Sequence, residues 1–240
     1  QPVLTLTATG TGAMDATVTN LFSAGDEVIT VNGGKFGERW TKICKAYGVK
    51  AHEIVVDRGT AVDLGAIEKL LTANPNVKAV LFQASETSTG TLMPIQKITD
   101  LCRKKNILSI CDGITAVGIF NVPMDEWGID VLITGSQKAL MLPPGLAFIA
   151  LSDRAYKSAE TSKLPKFYFN LIKERDSQAK QQTAWTPAIS LVTGAVESLQ
   201  MLRDQGDAAL FAAHEKMAEA TRNAARALGL ELFSSAPSPV

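Results

Sequence analysis

The chain has 240 residues, 46% apolar and 20% charged, a balance that suits one large globular domain with a real core. Its 24 Lys and Arg against 24 Asp and Glu leave no formal net charge, which argues against a nucleic-acid binder driven by a phosphate-neutralising basic field. No run approaches the ~18 apolar residues of a membrane span, no signal-peptide pattern is visible, and Cys44, Cys102 and Cys111, odd in number and without metal-like spacing, fit a reducing, cytoplasmic setting.

Strand-like runs alternate with helical patterns. Val3 to Leu6 reads as a strand that runs into Thr9-Gly10-Thr11-Gly12 and then a helix with Met14, Val18, Leu21 and Phe22 on one face. Glu27 to Val31 is a short strand, Phe36 to Tyr47 a helix and Ala51 to Val56 a strand. Asp63 is placed to cap a helix bearing Leu64, Ile67, Leu70 and Leu71. Val77 to Phe82 follows as a strand, and Pro94 opens a helix with Ile95, Ile98, Leu101 and Cys102. Ile107 to Cys111, Val131 to Thr134 and Ala147 to Leu151 are further strands. Beyond Pro187 the pattern is helical, with Leu191, Val192, Ala195, Leu199 and Leu202 on one face, then a second helix from about Asp207 to Leu228. Apolar strands alternating with helices predict a three-layer α/β/α domain around a mostly parallel sheet of about seven strands. Ligands of such sheets bind beyond the carboxyl ends of the strands, where Gly10, Thr87, Asp112 and Lys138 all fall.

Each of those positions has two readings. Thr9 to Gly12 is either a tight strand-to-helix turn or a phosphate cradle in which glycines admit the anion and a helix N-terminus supplies N–H groups and a favourable dipole. Asp112, closing Ile110-Cys111-Asp112-Gly113, is a loop or capping acid, or a carboxylate that pairs with a ring nitrogen. Lys138, in Gly135-Ser136-Gln137-Lys138, is a surface charge or an aldehyde-capturing amine. The apolar, rigid stretch Ala139 to Gly145 favours the latter, because burial makes an amine a better nucleophile. Gln137 is a neutral donor suited to a phosphate oxygen. Phe36, after Asn32-Gly33-Gly34-Lys35, stacks on a planar ring or starts its helix's core contacts. Ser85 to Gly90 is a turn rich in hydroxyls. His52 and His214 sit in no motif, and Trp40, Trp127 and Trp185 read as packing residues. A reactive lysine and a carboxylate at neighbouring strand ends together suit pyridoxal phosphate, the electron sink of amine chemistry.

On Ser85 to Gly90 (S-E-T-S-T-G), Asp112-Gly113, and Gly135 to Lys138 (G-S-Q-K) followed by Pro143-Pro144-Gly145, the chain resembles the class V aminotransferases of fold type I, in their alanine–glyoxylate / serine–pyruvate branch. The resemblance covers essentially the whole chain and implies pyridoxal 5'-phosphate as cofactor. It makes Lys138 the Schiff-base lysine and proton shuttle, Asp112 the partner of the pyridine nitrogen, Phe36 the aromatic over the ring and Thr87 a hydroxyl near the phenolic oxygen. Thr9, Gly10, Thr11 and Gln137 fall at phosphate positions, with Ile114 also in the cofactor-binding set. Gln182 and Thr183, before Trp185-Thr186-Pro187, resemble the segment that reaches the neighbouring subunit's cofactor, implying a homodimer.

The expected reaction moves an amino group between a small amino acid (alanine or serine) and a 2-oxo acid (glyoxylate or pyruvate). Residues 1–228 would be the cofactor-binding large domain without its N-terminal segment, and 229–240 the start of a small domain carrying the arginine that anchors the substrate carboxylate. Both ends therefore read as cut. Other readings are a cysteine desulfurase or lyase with the same cofactor, a hydrogenase-associated subunit of the same family, or a phosphate- or nucleotide-binding α/β module. Desulfurase-like relatives carry a histidine where this chain has Gln137, and they need a mobile cysteine.

Overall fold

A computed structural model describes residues 2–240. Gln1, the first residue of the expected large domain, lies outside that range. In chain order the elements are β1 (Val3–Ala8), α1 (Gly10–Leu21), β2 (Glu27–Asn32), α2 (Gly37–Ala46), β3 (Lys50–Val55), α3 (Leu64–Ala73) and β4 (Val77–Gln83). A two-stranded hairpin, β5 (Ser85–Glu86) and β6 (Thr91–Leu92), precedes α4 (Ile95–Lys104), β7 (Leu108–Asp112), α5 (Met124–Trp127), β8 (Val131–Gly135) and β9 (Gly145–Leu151). The chain continues through α6 (Asp153–Thr161), α7 (Leu171–Gln178), α8 (Ile189–Gln205) and α9 (Asp207–Ala227).

Seven strands form one sheet in the order β1-β9-β8-β7-β4-β2-β3. The pairs β2–β3, β2–β4, β4–β7 and β7–β8 are parallel. β9 runs antiparallel to both β8 and β1, so β1 points the same way as the parallel set. The expected three-layer, mostly parallel architecture is thus observed.

Strand alternation divides the core in two. On one face Ala79 and Leu81 of β4 and Leu108 and Ile110 of β7 pack against Met14 and Val18 of α1, Phe22 just after it and Trp40 of α2. On the other, Val80, Phe82 and Cys111 pack against Ile67 and Leu71 of α3 and Ile98 and Leu101 of α4. Helix starts follow local capping chemistry. The Asp63 carboxylate accepts the Gly65 N–H, as expected of a cap, Ser152 accepts the Ala155 N–H, and Asn170 accepts the Lys173 N–H.

The face expected on α8 is only partly buried. Ala195 is buried, Leu191 and Leu202 are half-buried, and Val192 and Leu199 are exposed. The helix rests on β9 and the loop before it along a narrow strip that includes Ser198, and α9 also packs against it. The β5–β6 hairpin, α5, α6 and α7 have no counterpart in the sequence reading.

The amino edge of the sheet is knitted by Asp130, which is 3% exposed. Its carboxylate accepts the Ser109 N–H at 3.0 Å and the Ser152 hydroxyl at 2.7 Å, tying β7, β8 and β9 together. Asp130→Ala leaves those buried donors without an acceptor. It is expected to lower the unfolding free energy by about 2–4 kcal/mol in urea denaturation.

Candidate active site

Because six strands point one way, β1, β2, β4, β7 and β8 all deliver their carboxyl ends to one edge of the sheet. β1 hands over to Thr9, the N-cap of α1. The Thr9 hydroxyl accepts the Gly12 N–H only at 3.5 Å, beyond the usual hydrogen-bond range. The loosely capped first turn keeps its N–H groups available to an anion. Gly135, ending β8, abuts this turn: an added Cβ would lie 3.0 Å from Gln137 Oε1 and 3.5 Å from the Gly10 nitrogen.

After β2, the chain turns through Gly33 and Gly34 to Phe36, the N-cap of α2. No side chain of its own segment caps this helix. The Glu86 carboxylate does so from the hairpin. Fully buried, it accepts the N–H groups of Phe36 (3.3 Å), Gly37 (2.8 Å) and Ser88 (3.1 Å) and the Ser88 hydroxyl (2.6 Å). An anion at a helix N-terminus is favoured by the dipole, and here it joins the aromatic turn to the hydroxyl loop. In that loop the Thr87 hydroxyl donates to Thr115 Oγ1 at 3.2 Å, and the Thr115 hydroxyl donates to the Ser85 carbonyl at 3.3 Å.

Asp112 ends β7 and is 5% exposed. Its Oδ1 accepts the Ile114 N–H at 2.9 Å. Burial pushes its carboxyl up to about 6; the Ile114 N–H opposes that, Glu86 adds to it, and Arg39 and Lys138 oppose it. Lys138 follows β8 in a loop held by the fully buried Ser136. The Ser136 hydroxyl donates to the Pro143 carbonyl at 2.7 Å and accepts the Leu146 N–H at 3.2 Å. From α8 the Ser198 hydroxyl donates to the Leu140 carbonyl at 2.5 Å. The apolar stretch after Lys138 does not enclose it, contrary to expectation. Leu140 is buried, whereas Lys138, Met141, Pro143 and Pro144 are exposed. Backbone anchoring fixes the loop on the α8 side, and Lys138 stays exposed on the other.

These residues line one cleft of about 160 Å³ that contains Thr9, Gly10, Thr11, Phe36, Thr87, Asp112, Ile114, Gln137 and Lys138. Nine positions singled out in the sequence therefore converge. Arg39, Ser85 and Thr115 also line it and were not anticipated. Arg39 Nη1 donates to Thr11 Oγ1 at 2.6 Å, and its guanidinium lies 5.0 Å from the Phe36 ring centroid. Its signal was its place three residues after Phe36, on the same side of the helix. Thr115 likewise lies three residues after Asp112.

Gln182 and Thr183 are exposed and lie outside this cleft. Thr183 and Trp185 line a separate depression, where Trp185 stacks on Tyr168 at 5.4 Å. Trp40 is fully buried in the core, and Trp127 packs against the second core layer. His52 pairs with Glu27 away from the cleft.

Fold and cleft together define a three-layer α/β domain that gathers an amine, a buried carboxyl and a loosely capped helix terminus at the carboxyl edge of its strands. The family model "Aminotransferase class-V" matches residues 3–236, and the chain belongs to that family. It is 40% identical to the "Soluble hydrogenase, small subunit" of Synechococcus sp. (strain PCC 6716), over 97% of this chain and 62% of that protein. It is 32% identical to the L-aspartate–glyoxylate aminotransferase of Paracoccus denitrificans (strain Pd 1222), over 96% of this chain and 59% of that protein. Among solved structures, the alanine–glyoxylate aminotransferase of Nostoc sp. superposes with a TM-score of 0.92 at 27% identity, covering 99% of this chain and 64% of that one. The chain thus spans 59–62% of the length of these two curated relatives.

The raised Asp112 carboxyl has a stability signature. Below about pH 4 it is protonated in both folded and unfolded chains. As pH rises toward 6 the unfolded chain loses its proton first, and stability falls. Asp112→Asn keeps an acceptor for the Ile114 N–H and removes this loss. In urea titrations its stability should match the unsubstituted protein near pH 3 and exceed it by roughly 3 kcal/mol at pH 7, the gap opening between pH 4 and 6.

Proposed function

We propose that this chain is the cofactor-binding part of a pyridoxal 5'-phosphate-dependent aminotransferase. It exchanges an amino group between a small amino acid, such as alanine or serine, and a 2-oxo acid, such as glyoxylate or pyruvate. The observation that carries this reading is the convergence of Lys138, Asp112, Phe36 and the open first turn of α1 in one cleft. The donor set suits the cofactor. The cleft offers N–H groups, the Arg39 guanidinium and a carboxyl that ionises near neutral pH, and Gln137 Oε1 is buried without a hydrogen-bond partner among the described residues. The glyoxylate in the names of the Paracoccus relative and the Nostoc structure supports the choice of oxo acid.

When bound, the cofactor supplies an electron sink for the reacting amine. The residues have separable tasks. The turn Thr9-Gly10-Thr11, with Gln137, binds the phosphate through N–H and side-chain donors aligned with the α1 dipole. Phe36 would stack on one ring face, held by the Arg39 guanidinium that packs over its ring. Asp112 would pair with the ring nitrogen and hold a proton there. Thr87, bonded to Thr115, orients the phenolic oxygen. Ile114 closes the wall beside Asp112. Lys138 would attach the cofactor aldehyde, and its free amine would take up the proton from the substrate Cα. Gln182 and Thr183, exposed on a surface away from their own cleft, reach the partner subunit's phosphate in a homodimer.

A cysteine-based reaction is disfavoured. Cys44, Cys102 and Cys111 are all buried, and burial pushes the thiols of Cys44 and Cys102 up to about 12 and that of Cys111 well above its ordinary value. Their unpaired state also supports a cytoplasmic location, and no helix among the described residues is long and apolar enough to cross a membrane. The name of the Synechococcus relative favours a second reading, as a subunit of a larger redox complex. Hydrogen uptake co-purifying with the protein would support it.

Purified protein given pyridoxal 5'-phosphate is expected to develop a visible absorption band, and borohydride to fix a cofactor adduct on Lys138. Lys138→Ala should show neither. Asp112→Asn should retain the adduct while amino-transfer kcat falls about 100-fold or more. No band and no adduct in the unsubstituted protein would end the cofactor reading.

A further inference from the structure

Gln83 closes β4, is 1% exposed, and has no hydrogen-bond partner for either Oε1 or Nε2 among the described residues. An amide buried in that state costs stability, and a leucine would fill the same space without the cost. Its place explains its presence. β4 and β7 are parallel, with Gln83 in register with Asp112, and the Ala84 N–H donates to the Asp112 carbonyl at 2.8 Å. Ala79 and Leu81 share a core layer with Leu108 and Ile110, so alternation puts Gln83 and Asp112 on that same face, on adjacent strands about 4.8 Å apart. The first turn of α2 closes the site from above: a Cβ on Gly37 would lie 2.9 Å from Gln83 Oε1. The other end, Nε2, is a spare donor. Asp112 offers the matching acceptor, because Oδ1 takes the Ile114 N–H and no donor among the described residues bonds Oδ2.

We propose that Gln83 is a positioning residue for Asp112: its side-chain amide turns to donate to the carboxyl whenever Asp112 is ionised, fixing the carboxyl's orientation into the cleft. The pairing itself needs no cofactor, and only its consequence for cofactor affinity rests on the proposed function. The amide is a neutral partner set among charged ones, since Glu86, Arg39 and Lys138 also act on Asp112. With the donor present the ionised carboxyl is favoured, and without it the proton is held more tightly.

The test follows Asp112 and Gln83 by NMR in cofactor-free protein. In the unsubstituted chain the Gln83 side-chain amide resonances should shift with the same midpoint as the Asp112 carboxyl carbon, and Asp112→Asn should silence that response. Gln83→Leu should be as stable as the parent or more so. Its Asp112 midpoint should rise and its dissociation constant for pyridoxal 5'-phosphate increase about tenfold. A space-filling Gln83 gives the unchanged or higher stability alone, so an unmoved Asp112 midpoint overturns the proposal. If Gln83→Leu does not fold, the amide titration in the unsubstituted protein decides, and an amide indifferent to the Asp112 titration overturns it. An amide that tracks Asp112 in a protein that never binds the cofactor upholds the pairing and defeats the proposed function instead.

Discussion

Parallel pairing is the constraint on which the cleft rests. Backbone register sets Gln83 opposite Asp112 and Asp112 opposite Ile133, so that β4, β7 and β8 reach the same edge within a few residues. β9, antiparallel to both neighbours, carries the direction across to β1 and brings the Thr9–Gly12 turn to that edge. Chemistry-bearing residues more than a hundred positions apart in sequence meet because strand ends, unlike strand interiors, leave backbone and side chains free for ligands.

Buried hydrogen bonds then hold the rim. Glu86 closes the helix N-terminus that presents Phe36 and holds the loop that carries Thr87, so two walls of the cleft share one carboxylate. Ser136 does the same for the lysine loop. Exposed pairs such as Lys42–Glu38 contribute little, because water and ions screen them. The rim contacts differ in kind, since breaking them strands buried donors that have no water to turn to. Asp112 expresses the same economy in reverse: poor solvation makes its proton hard to lose.

Much of this was legible in the sequence. Strands recognised from apolar runs, such as Val77 to Phe82 and Val131 to Thr134, recur within one residue of their observed ends, because a strand buried on both faces is written as a continuous apolar stretch. Asp63 was readable from capping chemistry, and the turn after β1 from its glycines. The two-residue strands β5 and β6 were not, since they are too short for any period to show, and Ser85 to Gly90 read only as a hydroxyl-rich turn. α6 and α7 carry mixed polar faces that give a weak helical signal. On α8, apolar spacing was visible, but which apolar residues meet a neighbour depends on what lies above them.

The order Gly/Thr turn, aromatic, hydroxyl loop, acid and lysine, together with the α/β alternation, was determined by sequence alone. Local propensity and strand burial are written in short windows of residues. What tertiary structure decided was long-range and electrostatic: that nine of the marked residues share one cleft, that Arg39 and Thr115 join them, and that Glu86 rather than a local residue caps α2. It also decided that Lys138 is exposed while Asp112 is buried. Solvation of a charge depends on every group packed around it, and no stretch of sequence around Lys138 or Asp112 contains that list.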